Sequence, residues 1–537
     1  MSKIYQVWQP VVVGRKIATD MRRSSTWIVC MVFAAACRER PAGLRSPSAS
    51  SPRESTGPGH SPRVVVVGGG VAGLVSAYEL GKRGISTELL EATESWGGRV
   101  ATASYGEGVY AEYGMQEMWA DNPLLAIARE LKVPLDDKAE SAYSSLVLSG
   151  KLIPFVQPTA GEFFASFLDS RERKALAAWM DRARTLRDRA LAARGLSPEL
   201  ERLQSLSFAD WVGTFALPNR VSEWIRLTLE CELATDWHGF SGLMGLIEFG
   251  FFLSPGELNY QVRGGNSRLI AALADAIPGP KTLLATVTAI ERWRTSDGQT
   301  RVRVSYLRNQ RLETVEADRV ILAVPFVRLH QIRIDPPLSD EKWHAIASLN
   351  RGQYTVVHLL VDKGARTTWT VGAESPFPVL TDGPLGVVYG VMHESPASQP
   401  LEVFSLLIHG AAAEAFHMVP RETKLREVLA ALDELWPGLS AHVRSSQVFT
   451  YHPAAIPVWP PGRSPLDARG RSLREPELGL TLAGDYTVSA HSNGAAQSGQ
   501  AAAARIIQEL TTPLTTPSPA APPRSPPAPP PPDHPAP

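Results

Sequence analysis

"VVVVGGGVAGLVSAYEL", from Val64 to Leu80, is an apolar run that stops on three glycines and resumes as helix-forming sequence. With Arg63 ahead of it, the valine run has the β-branched composition of a strand buried on both faces. "VAGLVSAYELGKRG" carries its apolar residues at helical spacing up to a glycine stop. Gly68, Gly70 and Gly73 therefore fall on a strand-to-helix turn. The first permits the tight turn, the second lets backbone approach a pyrophosphate, and the third lets helix and strand pack closely, while the helix N-terminus offers free N–H groups to the anion. A second strand, "STELLEA", ends at Glu91, where a carboxylate about twenty residues on can accept ribose hydroxyls. Strand, helix, second strand and terminal acid in register specify a dinucleotide site.

The next stretch indicates which dinucleotide. "EATESWGGRVAT" places Gly97, Gly98 and Arg99 in a loop where an arginine can neutralise the pyrophosphate and glycines admit the long axis of a cofactor. Here the sequence resembles the flavin-containing amine oxidase superfamily, which includes monoamine and polyamine oxidases, L-amino-acid oxidases, protoporphyrinogen oxidases and carotenoid desaturases. The resemblance runs over nearly all of 62–510 and implies FAD; a covalent bond to it is not expected, because Ala454 and Ala455 align where monoamine oxidases have the cysteine that binds flavin. "VYAEYGMQEMW" is similar to the family's Glu-x-Gly segment, which implies Gly114, Met115, Gln116 and Glu117 beside the isoalloxazine. "TVTAIERW" and "EADRVILAVP" resemble the family's return to the FAD domain, with Val287 where backbone meets the adenine, and "QVRGGNSRLIAALADAI" resembles its Gly-Gly-x-x-x-Leu segment. "LTLAGDYTVSAHSNGAAQSGQAAAARIIQEL" resembles the closing motif, which implies Asp485 on the ribityl chain and His491, Ser492, Asn493, Gly494 and Ala495 at a helix start. A helix N-terminus aimed at the flavin would favour the negative charge of its reduced form. Ordinary capping by Ser492 or Asn493 is the plainer account of the same residues.

The expected fold is α/β: a Rossmann-type FAD-binding domain of the three-layer ββα kind with an α+β substrate-binding domain inserted. The FAD-binding parts are expected at 62–119, 259–329 and 453–510. A helical substrate part is expected at 120–258 and one of sheet and helices at 330–452.

The ends read differently. From Met21, "MRRSSTWIVCMVFAAAC" has the two arginines, the short apolar stretch and the small residues of an export signal, and is too short to span a bilayer. "FAAAC" resembles the lipobox of bacterial lipoproteins, implying a signal over 1–37, lipid on Cys37, and a membrane-anchored protein of the envelope; a cytoplasmic protein starting with a buried helix is the alternative. A Pro/Ser/Arg-rich linker, 38–61, and a Pro-rich tail, 511–537, cannot bury a core.

Composition narrows the partners. The 537 residues are 44% hydrophobic and 20% charged, with 54 basic and 54 acidic residues, so no basic stripe argues for nucleic acid and a small-molecule substrate is expected. Cys30, Cys37 and Cys231 form no Cys-x-x-Cys pair and there is no His-Glu-x-x-His, so neither a metal site nor a disulfide framework is encoded. Cys231 reads as a buried apolar residue.

Amine oxidation requires a dry, aromatic pocket that holds the substrate against the flavin. Many members of the superfamily have a lysine that holds a water there, just before a Pro-Pro-Leu; in "RLHQIRIDPPLS" that position is Gln331. The aromatic pair and cysteine of monoamine oxidases align with Ala454, Ala455 and the neighbourhood of His491, so that cage is not expected. "YHPAAIPVWPPG" instead resembles a segment of protoporphyrinogen oxidases and desaturases. Oxidation of an amine or amino acid, with oxygen or a quinone as acceptor, therefore stands beside dehydrogenation of a bulky apolar substrate and beside a non-catalytic flavin-binding lipoprotein. The candidate catalytic residues are Gln331, Glu117 and His491, and the candidate substrate contacts are Trp119 and Trp459. Glu117 reads either as the acceptor of a substrate ammonium or as a surface acid, Trp459 either as packing or as a pocket wall, and His491 either as an acid/base or as a backbone contact.

Overall fold

The computed structural model describes residues 63–138, 143–155, 159–193, 195–253, 259–370, 375–451 and 453–511. The expected signal with Cys37, the linker and the tail beyond Thr511 lie outside the described residues.

The valine run forms the strand Arg63–Val67, central in a five-stranded, all-parallel sheet. It pairs with Ser86–Leu90 on one side and Arg319–Leu322 on the other, and Lys281–Thr282 and Leu480–Leu482 complete the edges. Its alternating side chains divide two cores. Val64 and Val66 pack with Leu74, Ile321 and Ala496 under the helices, whereas Val65 and Val67 pack with Val302, Val304 and Val315 of a second sheet. A parallel strand covered on both faces needs an unbroken apolar run, which is what the sequence supplies. The helices on the first face are Val71–Lys82, Ser267–Ala276 and His491–Thr511. The second sheet orders Arg311–Ala317, Thr300–Arg308, Thr286–Arg294 and Arg333–Asp335.

A seven-stranded sheet forms a separate layer. Tyr354–Asp362 and Leu401–His409 lie inside it and Val443–Thr450 at one edge. The opposite edge is Ser145–Leu148 with Lys151–Ile153, so the stretch expected to be helical over 120–258 contributes two strands to this sheet. Those strands are short and were hidden by the helical periodicity around them. The boundary expected at 330 also shifts, because Arg333–Asp335 pairs in parallel with the 286–294 strand and belongs to the second sheet. The remaining helices of 160–253 close on an aromatic core of Phe163, Phe164, Trp179, Phe208, Trp224 and Phe249.

Among the described residues no helix is long and apolar enough to cross a membrane, and no cluster of His, Cys, Asp and Glu could hold a metal. Cys231 is buried and free, and burial raises its thiol pKa well above the ordinary value.

Candidate active site

The glycine turn has three different reasons for its three glycines. Gly68 has φ +104°, and a Cβ there would strike the carbonyl oxygen of Ala323 at the end of the neighbouring strand. A Cβ at Gly73 would strike the carbonyl oxygen of Gly68, so helix and turn touch through bare backbone. At Gly70, with φ −76°, nothing lies within 4 Å of where a Cβ would stand. Gly70 also N-caps the helix Val71–Lys82 without any side-chain cap. Open space in front of an uncapped helix N-terminus is what a pyrophosphate requires. Glu91, one residue past the second strand, is tied to this turn: its carboxylate accepts the Gly69 N–H at 2.7 Å and the Thr93 N–H at 2.8 Å. Gly98, at φ +58°, lies against Gly70, and Gly97 donates to the Gly69 carbonyl at 2.8 Å. Val287 is buried at the start of the 286–294 strand.

Arg99 links this loop to the C-terminal motif. Its guanidinium pairs with Asp485 at 2.7 Å and donates to the Ala455 carbonyl, and Asp485 is 4% exposed on its side chain. Removing the arginine would leave a buried carboxylate uncompensated beside the expected path of the cofactor. Arg99→Ala is therefore expected to weaken FAD binding tenfold or more, the scale of a hydrogen bond to a charged group at about 1.5–3 kcal/mol. Titrating apoprotein with FAD and following the flavin fluorescence measures it, and unchanged affinity would remove Arg99 from the site.

The segment 112–119 is clipped to 259–267. Glu112 accepts the Asn266 N–H and the Thr102 hydroxyl, each at 2.8 Å, and burial pushes its pKa up to about 7. Asn266 returns its amide to the Met115 carbonyl at 2.8 Å, and Met115 donates its N–H to the Arg99 carbonyl at 2.9 Å. Gln116 spends its amide nitrogen on the carbonyls of Glu112 and Gly114, leaving its Oε1 buried with no hydrogen-bond partner. Glu117 accepts from the Asn259 side chain and is no simple surface acid. Trp119, half-buried, lies on a two-residue strand opposite Asn259.

The head of the C-terminal helix gathers a second polar group. Ser492 accepts a hydrogen bond from the Asn122 amide at 2.9 Å, joining this helix to the residues just past Trp119. His491 has φ +72°, a left-handed conformation that a side chain rarely adopts. Its Nε2 lies 3.3 Å from Glu232 and 3.7 Å from Glu248, inside ion-pair range but without the alignment of a hydrogen bond. Glu232 comes from the helix Asn219–Leu233, and Glu248 ends the helix Gly242–Glu248. Burial pushes the Glu248 carboxyl up to about 7, with His491 opposing and Glu232 adding to the shift.

Two expected site residues stand apart from this assembly. Gln331 is exposed at the end of a short 3-10 helix, Phe326–Gln331, so it lacks the burial that a residue working against a flavin in a dry pocket needs. Trp459 is fully buried, its backbone N–H on the Met244 sulfur at 3.1 Å, and belongs to the same core cluster as Trp224 and Phe249, which makes it packing and not a pocket wall. Conversely, sequence reasoning passed over Glu232 and Glu248. The signal was available for Glu248, a lone acid inside the apolar run "LMGLIEFGFFL", where an ionisable group must be buried.

Comparison with known proteins agrees with this geometry. The family model for flavin containing amine oxidoreductases matches residues 71–507. A nicotine dehydrogenase of Pseudomonas putida is 23% identical over 473 residues, covering 83% of this chain and 89% of that protein. A soybean (Glycine max) 15-cis-phytoene desaturase is 24% identical over 480 residues, covering 83% and 79%. Among solved structures, the cyclohexylamine oxidase of Brevibacterium oxydans superposes with a TM-score of 0.67 at 20% identity, covering 84% of this chain and all of that one. From the opening glycine turn to the closing helix, this chain belongs to the flavin containing amine oxidoreductase family and is an FAD-dependent oxidoreductase.

Proposed function

We propose that this FAD-dependent oxidoreductase oxidises an amine, and that 63–119, 259–335 and 453–510 form a three-layer ββα dinucleotide domain under a substrate domain built from the remainder. The residues that would hold FAD are the glycines 68, 70 and 73, Glu91, Gly98, Arg99, Met115, Gln116, Val287 and Asp485. When bound, FAD supplies a two-electron acceptor for a hydride leaving the carbon next to the substrate nitrogen.

One observation carries the choice of substrate. Two carboxylates, Glu232 and Glu248, converge on His491 at the head of the helix that follows Asp485. Relatives named for an amine and for a carotenoid match at similar identity, so their names do not decide. A hydrocarbon offers these acids no hydrogen bond, whereas an ammonium ion supplies charge and N–H donors. Export with lipid on Cys37 and an oxygen or quinone acceptor complete the proposal; both rest on the sequence reading and the family.

The test is anaerobic reduction. Primary amines, amino acids and a porphyrinogen are mixed in turn with the yellow protein, and the flavin band at about 450 nm is followed. Bleaching by an amine is the expected result. A band bleached by dithionite but by no amine would overturn the reading and favour the desaturase branch.

A further inference from the structure

The carboxylate group at His491 has a feature that substrate charge alone leaves unexplained. Glu248 is 5% exposed, and its Oε1 is buried with no hydrogen-bond partner. The other oxygen stands 3.7 Å from His491 Nε2. Among the described residues, the charged groups that act on Glu248 are His491 from the C-terminal helix, Glu232 from the helix Asn219–Leu233, and Arg187 from the long helix Ser170–Ala192. Arg187 also reaches the carbonyl of Ile247 at 3.4 Å. None of them hydrogen-bonds the free oxygen, and the neighbouring His491 Nε2 is likewise buried without a hydrogen-bond partner.

We propose, on the reading that the substrate is an amine, that Glu248 is the seat of the substrate ammonium and that the site exchanges a proton for it. At rest the carboxyl holds a proton; on binding, Glu248–COOH and R–NH3+ become Glu248–COO− paired with R–NH3+, and the proton passes to buffer. No electron moves in this step and no bond other than the carboxyl O–H breaks. The geometry favours it because an unpartnered buried oxygen is costly as a bare carboxylate and inexpensive as a carboxyl, until a cation arrives. The raised pKa of Glu248, caused first by burial, agrees with a proton held at neutral pH. Glu232, the more exposed of the two acids beside His491, then serves as the outer half of the same acidic pair. The ligand class is a compact primary ammonium ion; before a hydride can leave its carbon, one N–H proton passes to the Glu248 carboxylate, giving Glu248–COOH and the neutral amine.

The experiment is calorimetric binding of butylammonium to holoenzyme whose flavin has been reduced with dithionite and desalted under nitrogen, so that no turnover occurs. Titrations in phosphate and in MES at about pH 6 report protons released through the difference in buffer ionisation heat. The expected result is close to one proton released per site at about pH 6, almost none at about pH 8.5, and affinity rising with pH across that window. Glu248→Gln should bind at least tenfold more weakly and release no proton, whereas Glu248→Asp should keep the release. His491→Asn should also keep it, because the exchanged proton sits on Glu248. Equal affinity in wild type and Glu248→Gln, or release lost in His491→Asn and kept in Glu248→Gln, would overturn the inference. If amines bleach the oxidised flavin in that same case, the proposed function survives without it; if no amine bleaches the flavin or binds, both fail.

Discussion

Gly73→Ala is expected to give a protein without flavin that melts several degrees below the wild type, whereas Gly70→Ala keeps the fold and loses only affinity for FAD. The two glycines are three residues apart in one motif, and the difference comes from what surrounds each. A methyl at Gly73 would overlap the Gly68 carbonyl, which cannot retreat: Gly68 is itself held against the Ala323 carbonyl in a left-handed conformation. The helix Val71–Lys82 cannot retreat either, because its other side crosses the C-terminal helix at Gly499, where a Cβ would strike the Ala72 carbonyl. Overpacking between backbones costs about 1–3 kcal/mol or more, and here it also prises apart the strand and helix that shape the site. The loss of bound FAD adds to the fall in melting temperature by mass action. At Gly70 the added methyl meets nothing within 4 Å and the backbone is in an ordinary region, so apoprotein stability should match wild type. What the methyl occupies is the space in front of the uncapped helix N-terminus. Apoprotein melting curves with FAD titrations separate the two effects. Equal FAD affinity in Gly70→Ala would mean that no phosphate lies over that residue.

These two positions also show how far the sequence could be read. The spacing of Gly68, Gly70 and Gly73 between a valine strand and an apolar helix has one good solution, because a strand buried on both faces and a helix packed by bare backbone leave few ways to turn. Arg99 was legible as a pyrophosphate partner from its glycine loop, whereas Asp485 and the segment from Gly114 to Glu117 followed from family resemblance, and nothing in the spacing states that Arg99 and Asp485, 386 residues apart, form an ion pair. Local pattern was misleading where tertiary context decided. Trp459, preceding two prolines, read either as packing or as a pocket wall, and is core because Met244 and the aromatic cluster of Trp224 and Phe249 enclose it. Gln331 followed from a motif position that the fold leaves in the open. Glu232 and Glu248 were the reverse case: two acids in helices with no motif, given meaning only when the fold brings them to His491. A buried acid inside an apolar run is a legible oddity, but its partner lies more than 240 residues away in sequence, and no periodicity carries that information.

Glu248→Gln should raise stability, and the size of the gain should depend on pH. The Glu248 pKa is raised in the folded protein, to about 7 from an ordinary 4.5, first because burial penalises its charge. The native state therefore holds a proton that the unfolded chain has already released between those two values, and stability falls as pH rises through that window. Below about pH 4 the carboxyl is neutral in both states, so wild type and the glutamine variant should melt alike. Above about pH 7.5 the wild type carries a buried carboxylate and the variant does not; the shift of 4.5 to about 7 then corresponds to about 3 kcal/mol in favour of the variant. For a chain of this length that is about 3 °C in melting temperature. Glutamine matches the carboxyl in shape and keeps an oxygen for the Ala490 N–H that faces Glu248. Differential scanning calorimetry of both holoenzymes at several pH values tests this, and a difference that is constant with pH would show that the carboxyl does not titrate in this range. A side chain whose replacement stabilises the fold at working pH earns no place through packing. Its place has to come from a ligand, and in this cluster the ligand that completes it is a cation.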